Sequence, residues 1–538
     1  MDIISMRDFS KEDILTVLDL TAEVKRAIHD PQYDEKVFRN KHARRIPQLL
    51  EELTVATLFL ENSTRTNHSF RAAVMKSGGR VDGFSSPDDT SLKKGETWAD
   101  TVAMFAGYGF DAIVMRSTTE GLPRWTQEFL EANHQQMAAQ HKSLDLPYSY
   151  RVPVVINGGD GKNQHPTQCF LDLFTMRELA RAKGRDLEGL EVALLNDLAH
   201  GRTNASLMSV AHHFDWKLHF AYPHRFGPQA HLLEALQRKG VGITDHQEDF
   251  LSAMREVFVA YHSRPQKERV GAGEDLIMIK ELGQINLALY EQLGAKAPYL
   301  MHPLPVDAET FEEIRYDLRD HPLNVTKLQS SNGLYVRIAL LALILERMTG
   351  DRPLSSLERK IQEVELQELP LSGREKDLLD SRSGFIKGDG VVLDHISPGM
   401  ARRLAGILGL EGEEVAKVIS DYIPVRDHLK DMIKIHRAYE LTSEQYEALA
   451  LVSPEVTVSY VEGGKVVRKV RPIIGNLVEG RVRCGNSDCV TNVRKEHVVQ
   501  KHRVGRVDGE IVLECGYCER PDTVQRIYQE ERFIYIGK

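Results

Sequence analysis

Thr54-Val55-Ala56-Thr57-Leu58-Phe59-Leu60, followed at once by Glu61-Asn62-Ser63-Thr64-Arg65-Thr66, is the stretch on which the fold turns. An apolar and β-branched run without alternation predicts a strand buried on both faces, as in a parallel sheet. The stretch from Ser69 to Lys76 predicts the helix that follows it. A strand that runs straight into a helix is the repeating unit of an α/β fold. At such a junction free backbone N–H groups and the positive end of the helix dipole meet, which makes an anion site. Ser63, Thr64 and Thr66 add hydroxyl donors, and Arg65 adds a planar, bidentate partner for phosphate. Taken alone, the motif reads more readily as a Ser/Thr helix cap beside a surface arginine.

The pattern continues outward from this junction. Ala112–Met115 and Val152–Ile156 repeat the strand signal, and Gly189–Leu195 opens a second α/β block that includes Glu256–Ala260. Ile338–Arg347 predicts a long closing helix. Between Thr349 and Ser383 the composition shifts to a charged amphipathic stretch, read as a linker with some helix in it. Beyond it, Val391–Ile396 and the β-branched Val456-Thr457-Val458 predict a small α+β domain, and the Val- and Gly-rich segment from Ile473 onward predicts short strands.

At 538 residues the chain is too long for one hydrophobic core. Hydrophobic content of 42% and charged content of 27% are those of ordinary globular proteins. A net charge of −9 argues against a chain-wide nucleic-acid or membrane surface, though not against anionic substrates in an arginine-lined cleft. Met1-Asp2-Ile3-Ile4 does not begin a signal peptide, and the most apolar window, Ile338–Leu345, is far shorter than the ~20 residues of a membrane span. A cytoplasmic enzyme is expected.

Five cysteines divide unevenly. Cys169 stands alone, while Cys484 and Cys489 bracket four residues, Cys515 and Cys518 bracket two, and 25 separate the pairs. Two close pairs suit a closed tetrahedral Zn2+ site that supplies folding energy, with a redox or empty site as the alternative.

Further motifs follow in order: Met115-Arg116, then Asn163-Gln164-His165-Pro166-Thr167-Gln168 after the turn Gly158-Gly159-Asp160-Gly161, then Gly201-Arg202-Thr203, Ser263-Arg264-Pro265-Gln266-Lys267, and Met301-His302-Pro303-Leu304-Pro305. With Ser63-Thr64-Arg65-Thr66, this set resembles the aspartate and ornithine carbamoyltransferase family, and its aspartate branch, through most of residues 1–348. Ornithine enzymes carry a cysteine where this chain has His302-Pro303-Leu304-Pro305, and Arg264 and Lys267 would draw in a dicarboxylate rather than a cation.

The resemblance implies carbamoyl phosphate and L-aspartate as substrates. It places the phosphate on Ser63, Thr64, Arg65, Thr66 and Arg116, and the carbonyl oxygen near Thr66, Arg116 and His165. Gln168 would hold the carbamoyl NH₂, and the carbonyls before a cis Leu304-Pro305 would turn into the same site. Arg202, Arg264 and Gln266 would clamp the two aspartate carboxylates. Ser91-Leu92-Lys93-Lys94 looks like the family's mobile loop, which a subunit lends to its neighbour. Ser91 would then touch phosphate and Lys94 both substrates, in a homo-oligomer of at least three chains with shared active sites. Catalysis proper would fall to Arg65, Thr66, Lys94, Arg116 and His165. Three departures are visible: the loop is one residue short, so Thr90 competes with Ser91; Val306-Asp307 stands where the family has an arginine; and residues 131–150 look inserted.

Gly390–Ile396, Lys430–Ile435 and Arg468–Pro472 resemble the regulatory chain of bacterial aspartate carbamoyltransferases over residues 384–535, the cysteine module included. Nucleotide effectors such as CTP and ATP would then meet Asp394, His395, Lys430, Lys434 and Lys469, although Ser459 and Lys465 replace an Asn and a Tyr of the family. The fold expected is α/β: two doubly wound parallel-sheet domains of carbamoyltransferase type, then a small α+β ferredoxin-like domain and a zinc-bound β module. The boundaries expected are a carbamoyl-phosphate domain at 1–160, an aspartate domain at 161–348 whose last helix packs back on the first, a linker at 349–383, a nucleotide-binding-like domain at 384–472 and the zinc module at 473–538. An ornithine or other carbamoyltransferase, or a catalytically silent nucleotide-binding scaffold, are the rival readings.

Overall fold

A computed structural model describes residues 1–265, 283–307, 309, 311–348, 354, 362–371, 386, 388–410, 417–425 and 428–536. It divides into two units, Met1–Leu357 and Glu358–Lys538.

In the first unit, β1 (Thr54–Phe59) pairs in parallel with β2 (Arg80–Phe84) and β3 (Ala112–Ser117), and β3 with β4 (Val154–Asp160). The strand order is β2-β1-β3-β4. A second parallel sheet contains β5 (Glu191–Asn196), β6 (Lys217–Ala221), β7 (Gly242–Asp245), β8 (Val259–Ser263) and β9 (Tyr299–Met301), in the order β7-β6-β5-β8-β9. Both sheets reverse direction of winding beside their first strand, between β1 and β3 and between β5 and β8. Open α/β sheets bind ligands at such switch points, outside the carboxyl ends of the strands. Central strands are continuous apolar runs because helices cover both faces; Val55, Ala56, Leu58 and Phe59 are all fully buried.

The helix after β1 begins earlier than its apolar residues suggest, spanning Thr64–Lys76. The closing helix is also longer than its most apolar part, spanning Thr326–Ile344, and it packs on the helices Lys11–His29, Thr64–Lys76 and Pro166–Ala182. That closing helix is buried almost all round, which explains why it lacks a polar face. One apolar core, containing Phe59, Phe170, Leu194 and Leu340, runs under both sheets, and a second, containing Leu195, Phe250 and Leu300, packs on the second sheet. Residues 131–150, read above as inserted, continue the helix Leu122–Ser143 and return onto it: Tyr148 Oη lies 2.9 Å from His134 Nδ1, and His141 Nδ1 lies 2.9 Å from the Pro147 carbonyl.

The second unit holds an antiparallel sheet of β10 (Glu365–Glu368), β11 (Gly390–Ile396), β12 (Lys417–Val425), β13 (His428–Ile435), β14 (Thr457–Glu462) and β15 (Lys465–Ile473), ordered β10-β15-β14-β11-β13-β12. With helices Ala401–Ile407 and Ser443–Val452, β11 to β14 make the βαββαβ unit of a ferredoxin-like fold. Within the stretch read as a linker, Glu365–Glu368 is a strand. It pairs antiparallel with β15, from Glu365 opposite Ile473 to Glu368 opposite Val470. Tertiary pairing overrides the local charge pattern there. The last sheet, β16 (Leu477–Glu479), β17 (Lys501–Val507), β18 (Glu510–Cys515) and β19 (Pro521–Thr523), is a four-stranded meander. Among the described residues no helix is long and apolar enough to cross a membrane.

Candidate active site

The chain leaves β1 at Phe59 and enters a helix at Thr64, so the stretch expected to hold an anion is a strand-to-helix junction. Ser63 is the N-cap residue, yet its side chain makes no capping hydrogen bond. The hydroxyl is therefore not consumed in capping the helix. Thr66 is buried, while Arg65 keeps an exposed face. Desolvation and then the nearby positive charge of Arg264 push the Arg65 pKa down. Two guanidinium groups that repel one another across an open site are stabilised by an anion between them.

Beside this junction Arg116, at the end of β3, donates from Nη1 to the Gly158 carbonyl at 3.2 Å. Gly159, at φ +116°, passes so close that an added Cβ would lie 3.0 Å from Arg116 Nη1 and 3.2 Å from Arg202 Nη1. The positive φ is what demands glycine here, and the missing Cβ leaves room for both guanidinium groups. The turn is set by buried Asp160, which accepts from the Gly121 N–H at 2.7 Å and from the Asn157 and Asn163 side chains at 2.8 and 3.0 Å. It leads into His165, the N-cap of the helix Pro166–Ala182.

His165 is nearly inaccessible, and its backbone N–H donates to Ser206 Oγ at 2.9 Å, tying it to the helix Arg202–Val210 of the second sheet. Burial, then Arg116, Arg202 and Arg337, hold its pKa well below the ordinary value. The ring is thus a neutral imidazole with one N–H to donate, and Nδ1 is a buried atom without a partner among the described residues. Gln168 lies one turn further on, its N–H on the His165 carbonyl at 3.0 Å.

Arg202 and Arg264 come from the switch point of the second sheet, after β5 and β8 respectively. Ser263, the residue before Arg264, is pinned by Asn196, whose side chain donates to its carbonyl at 3.1 Å, and by Asn204, which donates to its hydroxyl at 3.1 Å. Arg202 Nη2 donates to both oxygens of Glu61 at 2.8 Å, and Arg116 Nε lies 3.4 Å from the same carboxylate. Glu61 is the site residue that sequence reasoning missed. Its signal was a carboxylate at the end of a buried strand, directly beside a predicted anion site.

Leu304-Pro305 is a cis peptide, as the motif implies, and Leu304 has φ +57°. Its N–H donates to His302 Nδ1 at 2.8 Å. Thr90 spends its hydroxyl on the local turn, accepting from the Leu92 N–H at 3.3 Å and donating to the Pro87 carbonyl at 2.7 Å. Ser91 and Lys94 sit exposed on the 3-10 turn Ser91–Lys94. The structure does not bring them to the arginine cluster by any hydrogen bond or ion pair among the described residues. Gln266 lies outside the described residues.

In the second unit the four cysteines converge, all four Sγ atoms lying within 4.8 Å of one another. Cys484 Sγ to Cys518 Sγ is 3.6 Å and Cys489 Sγ to Cys515 Sγ is 3.8 Å. Metal–sulfur bonds of about 2.3 Å at tetrahedral angles put sulfurs about 3.8 Å apart, so the set fits a four-coordinate metal. On β11, Asp394 meets Lys430 Nζ at 2.6 Å and lies 3.4 Å from His395 Nδ1. The charges of Lys430 and Lys469 act on His395, and that of Asp394 on the largely buried Lys434, so the five candidate effector residues form one patch.

Family models match both units of the chain. Residues 1–178 match the aspartate/ornithine carbamoyltransferase carbamoyl-P binding domain, and 188–344 match the Asp/Orn binding domain of the same family. Residues 386–472 match the aspartate carbamoyltransferase regulatory chain allosteric domain, and 476–528 its metal binding domain. The aspartate carbamoyltransferase catalytic subunit of Thermococcus onnurineus is 36% identical over 349 residues, which are 65% of this chain and 98% of the relative. That of Chromobacterium violaceum is 38% identical over 64% of this chain and 97% of its own length. Among solved structures, the catalytic subunit of M. jannaschii aspartate transcarbamoylase superposes with a TM-score of 0.51 at 32% identity, covering 64% of this chain and 98% of that one. Aspartate transcarbamoylase from Trypanosoma cruzi in complex with carbamoyl phosphate and aspartate gives 0.50 at 27%, covering 64% and 94%. The chain belongs to the aspartate carbamoyltransferase family, and it carries the allosteric and metal-binding domains of the regulatory chain on the same polypeptide as the catalytic domains.

Proposed function

We propose that this enzyme transfers the carbamoyl group of carbamoyl phosphate to the amino group of L-aspartate, giving N-carbamoyl-L-aspartate and phosphate. The observation that carries the reading is the meeting of arginines from both sheet switch points, Arg65 and Arg116 with Arg202 and Arg264, around the neutral His165. A dianionic leaving group and a dicarboxylate nucleophile both need such a field.

In this reading Ser63, Thr64, Arg65, Thr66 and Arg116 hold the phosphate. Thr66, Arg116 and His165 aim donors at the carbonyl oxygen, which becomes an oxyanion when the amine attacks; one such donor is worth roughly 2.7–4 kcal/mol of barrier. Because His165 is neutral, it donates to the carbonyl oxygen without adding a positive charge beside the incoming amine. Gln168 and the Leu304 carbonyl take the carbamoyl NH₂, and Arg202, Arg264 and Gln266 orient aspartate for attack. Glu61 keeps Arg202 and Arg116 in place. Phosphate release with carbamoyl phosphate and aspartate, set against ornithine, tests the reading. Turnover with ornithine alone reassigns the substrate, and turnover with neither overturns catalysis.

Zn2+ is the metal we assign to Cys484, Cys489, Cys515 and Cys518, with a structural role. Metal analysis should find one tightly held zinc per chain, and Cys484→Ser should unfold that module. The exposure of Ser91 and Lys94 supports their delivery to a neighbouring subunit in a cytoplasmic trimer or larger assembly. Equal mixing of Lys94→Ala and Arg65→Ala chains, with exchange verified, then restores roughly a quarter of wild-type activity by ring symmetry. Recovery no greater than the parents' average places the whole site in one chain. CTP or ATP is assigned to the Asp394, His395, Lys430, Lys434 and Lys469 patch.

A further inference from the structure

Asp172 touches no position assigned above to a substrate other than Gln168, yet it joins the segments that carry them. It stands one helical turn after Gln168 on the Pro166–Ala182 helix and is completely buried. Its Oδ1 accepts from Gln168 Nε2 at 2.9 Å and from Gln329 Nε2 at 2.7 Å, and its Oδ2 accepts from the Tyr261 hydroxyl at 2.8 Å. Gln329, on the closing helix, uses its own Oε1 to accept the His302 N–H at 2.8 Å, at the start of the turn that presents Leu304. Tyr261 lies on β8, three residues before Arg264, and its hydroxyl also meets Thr203, the neighbour of Arg202.

Each contact that Asp172 makes is a donor, which is the demand of a carboxylate anion. Burial works against that charge and raises its pKa to about 7, with Arg337 of the closing helix opposing the rise and Cys169 and Tyr261 as its other titratable neighbours. A buried carboxylate held this way is a costly element unless its geometry is used. Gln168 shows the use. An amide offers two donors on nitrogen and an acceptor on oxygen, and a carbamoyl NH₂ is satisfied only by the acceptor. With Nε2 committed to Asp172, Oε1 is the end left to face the substrate.

We infer that Asp172 is a positioning residue for carbamoyl transfer: Oδ1 fixes the Gln168 amide with its oxygen toward the carbamoyl group, and Oδ2 holds the β8 end that carries Arg264. The inference rests on the reaction proposed above. The full chain is assayed as wild type, Asp172→Ala, Asp172→Asn, Gln168→Ala and the Asp172→Ala/Gln168→Ala double variant, with melting temperature as the control for folding.

Asp172→Ala lowers kcat by about 10- to 100-fold, the scale of one misplaced polar contact in a water-excluded site. Asp172→Asn recovers most of that loss, to within about 3-fold, because one carbonyl oxygen still accepts both amides. The double variant is no worse than either single by more than about 3-fold, since residues acting through one contact are not additive. Tyr261→Phe keeps the core and tests the other oxygen, raising the KM for aspartate by about 3- to 10-fold.

Multiplicative losses in the double variant, full activity in Asp172→Ala, or an Asp172→Asn as impaired as the alanine at an unchanged melting temperature each overturn the role for Oδ1. If Asp172→Ala does not fold, the Tyr261→Phe result stands by itself, and an unchanged aspartate KM overturns the role for Oδ2. A wild type that releases no phosphate with the two substrates overturns the underlying reaction, whereas an active wild type with an unimpaired Asp172→Ala overturns Asp172 alone.

Discussion

In the catalytic unit Arg116 and Arg202 share one carboxylate, Glu61, at 3.4 and 2.8 Å, while Arg65 and Arg264 repel one another nearby. In the six-stranded sheet of the second unit, by contrast, Lys430 approaches both oxygens of Asp394, at 2.6 and 2.8 Å, and Lys434 is largely buried, with burial pushing its pKa down. Both are cation clusters around one carboxylate, but their balance differs. Glu61 divides itself between two guanidinium groups and leaves positive charge in excess. Asp394 is taken up by a single ammonium, so an anion arriving there must compete with an existing pair. Arginine's planar fork also holds its direction, whereas lysine is a point charge on a flexible stem. In the roles proposed above, the first cluster would seize a dianion and the second would bind one reversibly.

The largest expected effect falls at the centre of the first cluster. His165→Ala should lower kcat by about 10- to 1,000-fold with little change in melting temperature, in the range for loss of one oxyanion donor. Because the imidazole pKa is depressed, the ring is already neutral at pH 6.5 and gains a proton only well below it. Falling pH should therefore not remove this donor until the medium is distinctly acidic. A wild-type kcat limb near pH 6.5 that disappears in His165→Ala would show instead a ring that titrates normally.

Arg264→Ala should raise the KM for aspartate by about 10- to 100-fold and lower kcat, because one charge-assisted contact is worth roughly 1.5–3 kcal/mol. Binding of carbamoyl phosphate, read by phosphonate competition, should move far less. The reverse pattern would put this arginine on the phosphate and merge the phosphate and aspartate halves of the cluster into one.

The smallest effects belong to the lysine patch, and they sharpen the contrast by their sign. Lys430→Ala should weaken a nucleoside triphosphate by less than about 10-fold, since the ammonium is already partly neutralised. Asp394→Asn should tighten the same ligand by about 2- to 5-fold by releasing Lys430 and removing a like charge. Calorimetry with CTP and ATP reads both. A tenfold or greater loss of affinity in Asp394→Asn would mean that the carboxylate's contact with the nucleotide outweighs its hold on Lys430.

Several elements were legible from sequence because their signals are local. β1 and its following turn could be read from an apolar run and the hydroxyls behind it, and the two cysteine pairs from their spacing. Helix boundaries were less legible: the Thr64 start and the Thr326 start lie in polar residues that propensity does not mark, and tertiary burial completes them. β10 was not legible at all, because a charged four-residue strand exists only through its pairing with β15.

What the sequence determined by itself was the chemistry on offer: which segments carry arginines, hydroxyls, histidine and thiols, and in what order along an α/β chain. Only the tertiary structure decided which charges meet. Glu61 and Arg202 are 141 residues apart in the chain, and no local pattern pairs them. Asp172 accepts from Gln168 four residues away but also from Tyr261 and Gln329, 89 and 157 residues away. Electrostatic and hydrogen-bonding energies depend on distance in space and on the water excluded around the pair, and neither quantity is written in the order of residues.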